Sequence, residues 1–72
     1  MRRWMIRPRG LQWELRREMS AFPQAVFERQ DDAVFAGRME AIAVAGELFV
    51  TERDGSVRLE WTRGHERGLA RV

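Results

Sequence analysis

Few residues in this chain could do covalent chemistry. There is no Cys, no Tyr and no Lys; His65 is the single histidine, and Ser20, Ser56, Thr51 and Thr62 are the hydroxyl-bearing residues. A nucleophile needs a base within hydrogen-bond reach and a third group to orient that base. His65 stands between Gly64 and Glu66 in a stretch with little apolar content, where nothing would hold it. Ser20 reads as a loop or cap residue and Ser56 as a turn residue. The adjacent carboxylates Asp31 and Asp32 diverge by about 100° on a helix, so they cannot work as an acid and base pair. They suit the positive end of a helix instead. Asp31-Asp32 followed by Ala33-Val34-Phe35 has none of the alternating oxygen ligands of a calcium loop. No His/Cys cluster and no glycine-rich phosphate loop occurs. The expectation is a protein that is not an enzyme and needs no metal or cofactor.

The residues left to do chemistry are the arginines, which are all thirteen of the cationic side chains; the net charge is +2. Residues 1–20 carry six Arg and two Glu, residues 21–54 three Arg against seven acids, and residues 55–72 four Arg and two Glu. Basic ends and an acidic middle set up a local field although the total is small. Arginines placed around an aromatic on a sheet are the chemistry of a single-stranded nucleic-acid platform, guanidinium to phosphate and ring to base.

The elements that must position these residues follow from alternation. Arg3-Trp4-Met5-Ile6-Arg7 and Gln12-Trp13-Glu14-Leu15-Arg16 alternate apolar and polar residues around the turn material Pro8-Arg9-Gly10-Leu11. A four-residue loop sets Ile6 opposite Trp13 and Trp4 opposite Leu15. Glu47–Glu52 and Val57–Trp61 flank Arg53-Asp54-Gly55-Ser56, and Asp-Gly predicts a two-residue hairpin turn. In that register Val50 opposes Leu59 and Leu48 opposes Trp61. The helix runs from Asp31 or Asp32 to about Ala45, with Asp31 as cap and Gly46 just past the end. Its apolar side gathers Val34, Phe35, Ala41, Ile42 and Ala45; a close contact with the sheet would explain Gly37. Residues 25–29 read as a third strand, with a short helix opened by Pro23 as the alternative.

The fold class is therefore α+β: an antiparallel sheet of four to five short strands in the order β-β-(β)-α-β-β, with one helix packed on one face. Residues 1–62 form one domain and residues 63–72 a flexible basic tail. The core is Trp4, Ile6, Trp13, Leu15, Val34, Phe35, Ile42, Leu48, Val50, Leu59 and Trp61. Arg3, Met5, Arg7, Arg16, Phe49, Arg53 and Arg58 then share the face opposite the helix, a candidate surface for nucleic acid or a protein partner, with Glu14, Glu18 and Glu60 among them. No apolar run approaches the ~20 residues that span a bilayer. Met1–Pro8 is basic like a signal, but its apolar stretch of three residues falls short of the roughly 7–15 needed, so it reads as strand. The lack of cysteine fits a reducing cytoplasm.

Trp13-Glu14-Leu15, a helix with Ala33 and Ala41, Gly46-Glu47-Leu48-Phe49-Val50 and Asp54-Gly55-Ser56-Val57 occur in an order that resembles a family of small bacterial proteins, domain of unknown function 2188. The likeness covers about residues 3–61. Family members often open the helix with a lysine and a glutamate; Gln30-Asp31-Asp32 stands there in this chain. The resemblance implies a strand-rich α+β fold and assigns no activity and no catalytic residue. The expected role is a non-enzymatic bacterial accessory or binding module. It is read as a protein-interaction or self-associating domain, a homodimer included, with single-stranded nucleic-acid binding as the alternative.

Overall fold

Large apolar residues at every second position make the first two strands. β1 (Arg3–Arg9) and β2 (Gln12–Arg17) carry Trp4, Ile6, Trp13 and Leu15 on one side, and only Gly10 and Leu11 separate them. Gly10 has φ +61°, a conformation that glycine adopts without cost from a Cβ. β3 (Ala25–Phe27) is the expected third strand. α1 (Gln30–Ala43) follows, then β4 (Glu47–Thr51) and β5 (Val57–Trp61). A computed structural model describes residues 2–62; His65 and the stretch expected to form a basic tail lie outside the described residues.

The strand order is β3-β2-β1-β4-β5, with α1 across one face. The sheet is mixed rather than antiparallel. β1 and β4 pair in parallel, while the other three pairings are antiparallel. The cause is the helix. β3 runs the same way as β1, α1 returns along the face, and β4 then starts at the end where β1 starts. Pro8 fits in β1 because the pairing with β4 ends at Ile6 and Val50, one step before a missing N–H would matter.

Both hairpin registers differ from expectation, with opposite effects. Between β1 and β2 the loop is two residues, so Ile6 opposes Leu15 and Pro8 opposes Trp13. That is a slip of two, which leaves every side chain on its expected face. Between β4 and β5 the loop is three residues, Arg53-Asp54-Gly55. Gly55 N–H donates to Glu52 O at 2.9 Å, Glu52 N–H donates to Ser56 O at 2.8 Å, and Gly55 takes φ +91°. The slip of one pairs Val50 with Arg58 and Phe49 with Leu59. It exchanges faces along β5. A bulge at Glu60 restores the parity, and Leu48 again opposes Trp61.

The helix is turned relative to its expected face. Ala33, Gly37 and Ala41 point at the sheet and are buried; Phe35, Ile42 and, on β5, Leu59 are exposed and not core. Val34 is only partly buried. The observed core is Trp4, Ile6, Trp13, Leu15, Ala33, Ala41, Leu48, Val50 and Trp61. Three tryptophans on the sheet fill the layer, so the helix can approach only through its smallest residues. A Cβ on Gly37 would sit 2.7 Å from a methyl of Leu48, which accounts for that glycine as a close contact. At the start of α1 the cap position is Arg29, with no side-chain cap bond, rather than Asp31. At its end Gly46 N–H donates to Ala41 O and Ala45 N–H to Ile42 O, a paired closure in which Ala45, not Gly46, takes the left-handed φ of 55°. Gly46 is needed for space: a Cβ there would lie 2.6 Å from Arg2 O.

Candidate functional site

Alternation along β1, β2 and β4 carries five of the seven candidate residues, Arg3, Met5, Arg7, Arg16 and Phe49, to the sheet face opposite α1. Met5 lies opposite Arg16 on one side and Phe49 on the other. The centre of this face is a carboxylate. Glu14 is 3% exposed. Arg16 donates to it through Nε at 2.8 Å and Nη2 at 3.2 Å, Arg7 through Nε at 3.1 Å and Nη2 at 3.0 Å, and Arg9 through Nη1 at 3.2 Å. Arg16 also donates to Ser20 O. The Arg16 hydrogen bonds, reinforced by Arg7 and Arg9 against the opposing effect of burial, hold the Glu14 carboxyl down at about 2. Arg3 is occupied separately, by Glu47 at 2.8 Å and Glu18 at 3.4 Å.

Arg53 and Arg58 are not on this face. Arg53 leaves the β4–β5 loop, donates to Gly10 O at 2.7 Å and lies 4.6 Å above the Trp13 ring, on the helix side of the sheet. Arg58 is carried to the helix side by the three-residue loop. It donates to Glu52 at 2.9 Å and pairs with Glu60, which also meets Arg38 of α1 at 3.8 Å. Gln30 at the start of α1 donates to the other oxygen of Glu52 at 2.8 Å. The same exchange brings Val57 and Leu59 to the outer face, opposite Thr51 and Phe49.

Sequence reasoning missed two features. A four-residue loop puts Arg9 in the turn; the two-residue turn makes it the last residue of β1. The second feature is on α1. Phe35, Met39 and Ile42 are 69%, 55% and 48% exposed. With Asp31, Val34 and Arg38 they line a shallow groove of ≈ 340 Å³ on the side of the helix away from the sheet. The spacing of 35, 39 and 42 is a helical stripe legible in the sequence. What hid it was a competing stripe of small residues at 33, 37 and 41.

Among the described residues no group of three or more His, Asp or Glu is placed to hold a metal ion, and no helix is long and apolar enough to cross a membrane. No curated protein and no solved structure matches the chain. A family model for uncharacterized proteins conserved in bacteria does match, over residues 3–63, which takes in all five strands, the helix and the carboxylate cluster. The chain belongs to that family, DUF2188.

Proposed function

We propose that the protein is a non-catalytic interaction module that pairs with a second copy of itself through the outer stripe of α1. One observation carries this reading: the helix buries its small residues and exposes its large ones. Single exposed apolar residues are ordinary, whereas a contiguous apolar stripe is the kind of surface that interaction sites use. Phe35, Met39 and Ile42 are self-complementary about a twofold axis. In an antiparallel pair of helices, Phe35 of one copy meets Ile42 of the other, and the two Met39 side chains meet near the axis. Among the described residues that line the groove the one cation, Arg38, has Glu60 as a partner, so it does not charge the centre. With Phe35, Met39 and Ile42 each about half to two-thirds exposed, the stripe amounts to roughly 300 Å², the lower end of the largest apolar patch that a monomer usually shows. That is below the ~800 Å² per partner of a standard interface, so the dimer proposed is a weak, reversible one. The lack of cysteine is compatible with a reducing cytoplasm as its setting.

Sedimentation equilibrium tests this. The expected result is a monomer–dimer equilibrium in the micromolar range, little changed by salt, and abolished by Phe35→Glu with Met39→Glu while the circular dichroism stays native. A chain that remains monomeric up to millimolar concentration overturns the proposal, and so does a dimer that persists in the double variant.

A further inference from the structure

The outer face of the sheet is divided. On β1 and β2 three guanidiniums, Arg7, Arg9 and Arg16, surround the single carboxylate of Glu14. On β4 and β5 the same face carries Phe49, Leu59 and Val57. The register strings Arg16, Met5, Phe49 and Leu59 into one row across four strands, roughly 14 Å from end to end at the usual strand spacing. A ligand that fits this face carries anionic groups along one side and apolar groups along the other, where Leu59 and Val57 are exposed and Phe49 is partly so.

We infer that this face binds single-stranded nucleic acid, with phosphates against Arg7 and Arg9 and bases against Phe49 and Leu59. Four observations support the assignment. Glu14 holds the cations together at fixed positions, so their mutual repulsion does not scatter them. It does not neutralise them, since three positive charges meet one negative charge. Arg7 and Arg9 keep 43% and 53% of their side chains exposed. Arg7 Nη1 and Arg9 Nε and Nη2 make no hydrogen bond among the described residues, which leaves donors for phosphate oxygens. The remaining acids of the face lie apart from this cluster: Glu47 and Glu18 share the one guanidinium of Arg3, and Glu28 accepts from the neutral Gln12, so the positive excess is confined to Arg7, Arg9 and Arg16. Bases stack on apolar and aromatic side chains only when unpaired, so a sheet face of this kind would select a single strand over a duplex. The face lies on the side of the sheet opposite α1, so it is separate from the α1 stripe and stays open in a dimer formed there.

The test is fluorescence anisotropy of a labelled twelve-nucleotide single strand titrated with the full chain at about 50 and 200 mM salt. Two or three phosphates released from their counterions weaken binding about 7- to 20-fold between those concentrations. Arg7→Ala with Arg9→Ala is expected to weaken binding at least fivefold at the lower salt, and so is Phe49→Leu, which keeps an apolar side chain in place but removes the ring. Arg58→Ala, on the helix side, is expected to leave affinity unchanged. The same oligonucleotide annealed to its complement should bind more weakly than the single strand. The inference fails if no binding occurs at about 50 mM salt, if Arg58→Ala matters as much as the Arg7/Arg9 pair, if Phe49→Leu has no effect, or if polyglutamate displaces the strand at equal charge concentration.

Discussion

Glu14 is a carboxylate with more partners than one anion needs. Its usual value of 4.5 is held down to about 2 by Arg16 first, with Arg7 and Arg9 adding to it. The unfolded chain therefore takes up this proton before the folded one does. The stability Glu14 contributes is complete above about pH 4.5 and is lost as the pH falls from there through about 2. At 1.36 kcal/mol per pH unit the ceiling is about 3 kcal/mol, and solvent screening of the half-exposed arginines lowers it to about 2 kcal/mol. Glu14→Gln should thus cost about 2 kcal/mol at pH 6 in urea unfolding, and the gap between variant and parent should narrow towards pH 2.5. A gap that stays constant with pH would show that the loss is packing and not charge. Alternation alone put Glu14 on the outer face. It did not reveal the convergence, because which arginines meet it depends on the length of the turn, and a loop of two residues in place of four is what brings Arg9 into the strand.

At the scale of elements, the helix end makes a sharp test. Ala45 holds the left-handed conformation at φ 55°, where a Cβ is penalised, while the glycine beside it is reserved for space. Ala45→Gly should stabilise the protein by about 0.5 kcal/mol, the strain relieved less the entropy that glycine adds to the unfolded chain. The two spatial glycines should rank oppositely. Alanine at 37 pushes on methyls of Leu48 and Leu15, at 2.7 Å and 3.2 Å; it also gains helix propensity, for a net loss of about 1 kcal/mol. Alanine at 46 meets the backbone carbonyl of Arg2, which already accepts from Glu47 N–H, and should cost about 3 kcal/mol. Thermal unfolding of the three variants gives the order; equal losses at 37 and 46 would contradict it. The elements themselves were legible: strand alternation, the Asp-Gly hairpin and an alanine-rich helix needed no structure. The side of the helix that faces in was not. Periodicity favours large residues inside, and here the tryptophans of the sheet had already taken the volume. The face of Arg58 was hidden for a different reason, since Asp54-Gly55 fits two-residue and three-residue loops alike and only an odd count exchanges the faces.

For the molecule as a whole, the middle of the sheet is the decisive place. β1 is joined to β2 across a turn of two residues and to β4 only after more than thirty residues, three further elements intervening. The parallel seam between them was beyond a reading by neighbours, because nothing local in β1 names its distant partner. The β1–β2–β3 ribbon, closed by local connections, is therefore expected to form before the seam. Until α1 and β4 arrive, Trp4, Ile6, Trp13 and Leu15 form an uncovered apolar sheet face, and the edge of β1 is unpaired. Closing the long loop is the step expected to limit the rate, since its entropy must be lost before the seam rewards it; refolding slowed by lengthening the β3–α1 connection would check it. A ribbon in that state is the species expected to aggregate most readily, and the charged side chains of its other face, Arg7, Arg9 and Arg16 around Glu14, leave only one side on which such ribbons can stack.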